Sequence, residues 1–231
     1  MTSKITAVLF DFDGTLADTL PICIRGIAEA FEKFDGRKLA AKDVVAMFGP
    51  TEANIIRLNL ANRAAAEEGV ALFLACYEQE HDKMVKPNER ILDMLARLKK
   101  EGYKLGIVTG KGRATLDISL AKLGMADYFD VTVSGDEMTR PKPDPEGVLT
   151  ALHALGAKPE EAIFAGDSEA DMRAGKAAGV FTVGVHWLEH IQTAEFETKP
   201  DLYVTRTEQL LDWLAAEAEL KNIFLENLGM E

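Results

Sequence analysis

Positive charge is scarce in this sequence: 26 lysines and arginines face 38 aspartates and glutamates, a formal net charge of −12. No basic cluster interrupts that acidity. Nucleic acid and acidic membrane surfaces are therefore excluded as main partners, because both are recognised through a positive field. Long apolar runs are missing too. The longest, residues 70–77, falls far short of the roughly 18 residues of a membrane span, so a soluble protein is expected. The apolar start at residues 5–10 stops at Asp11 with no small-residue cleavage site after it, unlike a signal peptide. Cysteine is limited to Cys23 and Cys76. That count fits a reducing, cytoplasmic setting rather than a disulfide framework. Neither thiol has His or Cys at metal-ligand spacing, so both are expected to be small buried hydrophobes. Internal repeats and low-complexity linkers are also absent.

What is present is ordinary globular material, 47% hydrophobic and 28% charged over 231 residues, enough for a well-buried core with a modest second domain. Residues 5–10 form a short, mostly apolar run of β-formers that breaks at Asp11-Phe12-Asp13-Gly14. The same strand-then-loop unit recurs at 104–108, 131–133, 162–165 and 180–185. Helical patterns at 89–101, 114–123, 145–155 and 169–178 lie between them, closed by Gly102, Gly124, Gly156 and Gly179 at C-cap positions. Strands alternating with helices predict an α/β fold, a Rossmann-like parallel sheet covered on both faces.

Residues 17–86 break the alternation. They read as helices at 21–34, 51–62 and 63–84, too long a stretch for a simple crossover. The expected organisation is an α/β core of residues 1–16 and 87–231 with a helical cap of residues 17–86 inserted after the first strand. Ligands of open α/β sheets bind at the carboxyl ends of the strands, so such an insertion hangs over the site as a lid. Residues 207–220, continuing to 228, read as one or two terminal helices that pack and do nothing more.

Polar residues gather at the strand ends. Asp11 and Asp13 follow the first strand, Thr109 ends the second, Lys142 lies in Arg140-Pro141-Lys142-Pro143, and Asp167 and Asp171 bracket a helix start. Each has a structural explanation on its own: a turn, a solvated loop lysine, an N-cap by Asp167 or Ser168. On a parallel sheet they converge on one edge. Four carboxylates crowded there repel one another without a cation, and hard oxygen ligands suit magnesium. With the metal and Lys142 in place, the pocket attracts phosphate although the protein is acidic overall.

The run Asp11-Phe12-Asp13-Gly14-Thr15-Leu16, then Thr109, Lys142 and Gly166-Asp167-Ser168-x-x-Asp171, in this order and spacing, resembles the four motifs of the haloacid dehalogenase-like hydrolase superfamily. The helical insertion is similar to the cap of its phosphoglycolate phosphatase-like subgroup. The resemblance implies a magnesium-dependent phosphatase acting on a small phosphorylated metabolite. Asp11 is then the nucleophile that becomes an aspartyl-phosphate, and Asp13 the acid that protonates the leaving group and then deprotonates water. Thr109 and Lys142 steady the transferring group. Gly14, Thr15, Gly110 and Lys111 are implied as substrate-binding. Asp11, the Asp13 carbonyl, Asp167 and Asp171 are implied to hold Mg2+.

The presence of Asp13 disfavours dehalogenation, and Lys33, Lys38 and Lys42 lack the apolar setting a phosphonate-cleaving Schiff base needs. An inorganic pyrophosphatase and a sugar phosphomutase remain as alternatives. In the cap, residues 47–52 are a turn whose N–H groups face the site or a plain turn capped by Thr51. Arg25, Arg57 and Arg63 are candidates to grip a second anionic group, though exposed helical arginines are usually solvated. Gly110-Lys111-Gly112 and Gly175-Lys176 miss the glycines and hydroxyls that nucleotide loops require. His81, His153, His186 and His190 suggest no triad with a Ser or Cys. A monomer or weak homo-oligomer is expected.

Overall fold

The computed structural model describes residues 4–227, with side-chain surroundings to residue 220. Six strands form one sheet: β1 Ala7–Phe10, β2 Lys104–Val108, β3 Val131–Val133, β4 Ala162–Gly166, β5 Phe181–Val185 and β6 Leu202–Val204. All pairings are parallel, in the order β3-β2-β1-β4-β5-β6. The sixth strand lies beyond the five that the sequence pattern indicates. It has three residues, with Tyr203 half-exposed, and offers no apolar run to read.

Every residue of β1 is buried, as expected of a central parallel strand covered on both faces. Val8 and Phe10 join one apolar cluster, whereas Ala7 and Leu9 join a second on the opposite face with Val148, Leu152 and Phe164. The covering helices are α5 Glu89–Lys100, α6 Arg113–Lys122, α7 Glu146–Leu155, α8 Glu169–Ala178 and α9 Thr207–Asn227. In α5, Ile91, Met94, Leu95 and Leu98 are buried at i, i+3, i+4 and i+7, and Asn88 caps its N-terminus. Gly156 and Gly179 end α7 and α8 in the left-handed conformation that a side chain resists. The C-terminal tail is one helix within the described residues; residue 228 lies outside them.

Between β1 and α5 stand only helical elements, the α-helices being α1 Leu20–Asp35, α2 Ala41–Val45, α3 Glu52–Asn59 and α4 Ala66–Met84. The short α2 was missed because it buries only Val44. α3 stops early because Leu60 is extended, and α4 starts only after a 3-10 turn at Arg63–Ala65. α1 and α4 approach closely at Gly26, where a Cβ would lie 2.8 Å from the Phe73 ring.

One histidine pairs with a serine without forming a triad. His81 on α4 places Nε2 3.0 Å from Ser119 Oγ on α6, and Tyr77 Oη lies 2.7 Å from the same oxygen. His81 and Ser119 are fully buried and away from the lining of the cavity described below, so the pair joins helices and performs no acyl chemistry. Burial, reinforced by Lys122, lowers the His81 pKa to about 4. A base depressed in the folded state adds stability above its unfolded pKa of about 6.5 and loses it as the pH falls toward 4. From pH 7 to pH 5 the wild type should lose about 2 kcal/mol more than His81→Gln in urea unfolding. Parallel pH profiles for the two proteins would contradict this assignment.

Candidate active site

Parallel pairing places the ends of β1, β2 and β4 side by side. Phe10 is in register with Ile107 and Ala165, and the Asp11 N–H donates to Ala165 O at 2.9 Å. Asp11, Thr109 and Asp167 therefore emerge from adjacent strand ends, and all three are buried. Ligand oxygens of Asp11, Asp167 and Asp171 lie within 4.8 Å of one another.

Each carboxylate is held differently. Asp167 accepts Thr15 Oγ1 at 3.0 Å and the Gln192 N–H at 2.7 Å. Asp171 accepts Ser168 N at 3.0 Å and Ser168 Oγ at 2.6 Å through Oδ2, and Lys142 Nζ at 2.6 Å through Oδ1. The capping and the charged roles of this segment thus coexist, with Ser168 capping α8. Lys142 Nζ is also 2.9 Å from Asp11 Oδ1, but off the direction of a hydrogen bond, so that buried oxygen has no donor. Burial and then the Asp171 charge push the Asp11 pKa up, against Lys142. Burial, then Asp11 and Asp171, push Asp167 up strongly. Burial opposes the Lys142 charge, yet Asp11 and Asp171 outweigh it and keep the ammonium protonated.

Three buried carboxylates against one ammonium leave an excess of negative charge, and an orphaned oxygen faces into it. Hard oxygens at this spacing fit a divalent magnesium-type cation. The backbone makes room for them: Gly14 is left-handed (φ +81°), and a Cβ there would strike Asp167 Oδ2 at 2.3 Å.

Asp13 does not join this cluster through its side chain, which corrects the picture of four crowded carboxylates. Its Oδ1 accepts Thr19 Oγ1 and, at 3.0 Å, Lys111 Nζ. Only its carbonyl, 3.2 Å from Gln192 Nε2, is turned toward that side of the loop. Burial raises the Asp13 pKa more than Lys111 lowers it.

Asp11, Asp13, Thr109, Gly110, Lys111 and Lys142 line one cavity of about 290 Å3. Gly14 and Thr15 do not; one makes space for Asp167 and the other donates to it. Lys111 is fully buried and already engaged by Asp13 and Glu52, each at 3.0 Å. The opposite wall comes from the helical insertion, where Leu20, Cys23, Phe48 and Ile55 face the cavity. In the 47–52 turn, Thr51 caps α3, accepting the Asn54 N–H at 3.4 Å. Phe48, Gly49 and Pro50 of this turn line the cavity together with Glu52, and nothing in the local sequence distinguishes Glu52 from a first-turn acid. Cys23 is more than a small hydrophobe, with Sγ 3.3 Å from Lys111 Nζ. Gln192 and Trp187, whose Nε1 donates to Thr15 O at 2.7 Å, come from the loop after β5 and carried no motif.

The arginines of the helical insertion stay outside. Arg57 is paired with Glu67, Arg25 with Glu80, and Arg63 donates to the Arg57 carbonyl. None lines the cavity.

The profile of the haloacid dehalogenase-like hydrolases matches residues 8–185. The pyrophosphatase PpaX of Bacillus velezensis is 37% identical over 213 residues, 91% of this chain and 97% of the relative. PpaX of Halalkalibacterium halodurans is 35% identical, covering 93% of this chain and 99% of its own length. Among solved structures, CbbY from Rhodobacter sphaeroides in complex with phosphate superposes with a TM-score of 0.74 at 24% identity, over 89% of this chain and 96% of that one. That likeness shows the fold.

Proposed function

The chain belongs to the haloacid dehalogenase-like hydrolases, and from that premise we propose that it is a magnesium-dependent phosphatase that works through an aspartyl-phosphate on Asp11. The observation that carries the reading is the cluster of Asp11, Asp167 and Asp171 set against Lys142 at adjoining strand ends. We take residues 17–86 as a cap on a core of residues 1–16 and 87–231.

Magnesium, held by Asp11, the Asp13 carbonyl and Asp167 with Asp171 beside them, would neutralise the negative charge of the phosphoryl group. Asp11, buried and paired with the Lys142 ammonium at 2.9 Å, is the nucleophile. It attacks phosphorus, and the bond to the leaving group breaks. Lys142 keeps Asp11 in place and offsets the charge of the transferring group. Thr109 supplies its hydroxyl from the end of β2. Asp13, with its pKa raised by burial, gives a proton to the leaving oxygen, then takes one from the water that opens the acyl phosphate. Leu20, Phe48 and Ile55 give the cavity an apolar wall, and Asp11 itself is buried.

Inorganic pyrophosphate is the substrate that the two PpaX relatives support. A small phosphomonoester such as phosphoglycolate is the second reading, favoured by that same apolar wall, which suits a carbon-bearing leaving group. Phosphate release from the two compounds, assayed in parallel, separates the readings; a phosphomutase would instead return an isomer of a sugar phosphate. We take a monomer or weak homo-oligomer as the active unit. Two free cysteines and, among the described residues, no helix long and apolar enough to cross a membrane support a cytoplasmic location.

Exhaustive chelation should abolish turnover. Returning magnesium at about a hundredfold excess over its Kd should stabilise the wild type by about 2.7 kcal/mol in thermal unfolding, and Asp167→Asn by much less. Activity that survives chelation would end the metal assignment.

A further inference from the structure

α6 begins without a cap of its own. Its N-cap residue is Gly112, which has no side chain, and its third helical residue is Thr115, where a capping box would carry an acid. Two acids from elsewhere take that place: Asp136, after β3, accepts the Arg113 N–H at 2.6 Å, and the other comes from the insertion. Glu52, the first residue of α3, accepts the Gly112 N–H at 2.7 Å through Oε2. Its Oε1 accepts Thr115 Oγ1 at 2.9 Å and Lys111 Nζ at 3.0 Å. A carboxylate at a helix N-terminus is favoured by the helix dipole, and this one is almost wholly enclosed. Gly112 is fitted to it: a Cβ there would come within 3.1 Å of Glu52 Oε2. Lys111 then spans from Glu52 to Asp13, with its ammonium also 4.6 Å from the centre of the Tyr77 ring of α4.

A buried carboxylate with three donors from the opposite element is costly to withdraw, because its charge would lose all three and Lys111 would keep only Asp13 as a charged partner. We propose that Glu52 is a positioning residue that locks the helical insertion onto the α6 N-terminus and so holds the Lys111 ammonium against Asp13. The lock is a property of the fold, and its effect on turnover rests on the phosphatase reading above. Asp13 is then correctly placed only while the insertion is seated, which ties proton transfer to closure.

Amide exchange on the substrate-free protein tests the lock. In Glu52→Gln, amides of residues 112–116 and 47–59 should exchange roughly tenfold faster or more, with α7, α8 and the central strands unchanged. With pyrophosphate or p-nitrophenyl phosphate as probe, kcat should fall roughly ten- to a hundredfold while KM moves less than about threefold. Adding Lys111→Met should cost less in Glu52→Gln than in the wild type, since the two act through one contact. Thr115→Val, which removes one donor, should shift the same amides more weakly and serves if Glu52→Gln does not fold. Unchanged exchange at 112–116 overturns the lock. An unchanged kcat, or a change in KM alone, overturns the positioning role. If the wild type releases phosphate from neither probe, the phosphatase reading fails by itself and the exchange result still decides the lock.

Discussion

Asp11→Asn is expected to lower phosphate release by about 10^4-fold or more, because the amide cannot form the covalent phosphoryl intermediate. The loss should appear in kcat at saturating substrate. Stability should not follow it down. Asp11 is buried beside Asp171, and burial with that neighbour penalises its charge, so removing the charge relieves repulsion in metal-free protein. The lost partner is a Lys142 contact without hydrogen-bond geometry, and Lys142 keeps its bond to Asp171. Chelated Asp11→Asn should therefore melt at or above the wild-type temperature while being inactive. Turnover within about tenfold of wild type would refute Asp11 as nucleophile. A large fall in Tm alongside the lost activity would leave the charge account of the cluster wrong.

Lys142→Met should do damage on both counts. Its ammonium is the only cation within 3 Å of Asp11 and Asp171 among the described residues, and its side chain is 7% exposed. Methionine fills much the same volume but leaves buried carboxylates unpaired, a change that costs about 3–5 kcal/mol. Urea unfolding in chelator should show that loss, and magnesium should restore part of it by supplying the missing positive charge. Turnover should fall by about 10^2- to 10^3-fold even at saturating magnesium, since the cation cannot also fill the lysine's place beside the transferring group. A variant as stable as wild type in chelator would show that the carboxylates do not depend on Lys142. Retained turnover would remove it from the reaction.

These two residues were legible before any coordinates because their surroundings are regular. Asp11 ends a fully apolar strand, and Lys142 sits in a proline-bracketed segment. Parallel pairing then makes strand ends neighbours, so the meeting of Asp11, Thr109 and Asp167 follows from the alternation of strands and helices. Helix ends with a glycine or a side-chain cap were legible for the same reason, as α8 shows with Ser168 before it and Gly179 after it. β6 and α2 were not, because three or five residues with a single buried position produce no periodic signal.

Asp13 marks the limit within the motif itself. Its spacing from Asp11 is local, but the direction of its side chain is set by Thr19, Lys111 and, beyond them, Glu52 on another element. Glu52 looks like any acid in a helix's first turn. Its partners lie about sixty positions further along, and no pattern short enough to read spans that distance. Gln192 is more remote still, reaching Asp167 and the Asp13 carbonyl from the loop after β5.

Sequence by itself determined the order of the longer strands and helices, the parallel sheet and the acids at its carboxyl edge, because hydrophobic period and turn chemistry act over a few residues. Only the tertiary structure decided which carboxylates share a centre, which way Asp13 turns and what the insertion lends to the core. Those outcomes depend on desolvation and charge pairing between groups that meet only once the chain is packed.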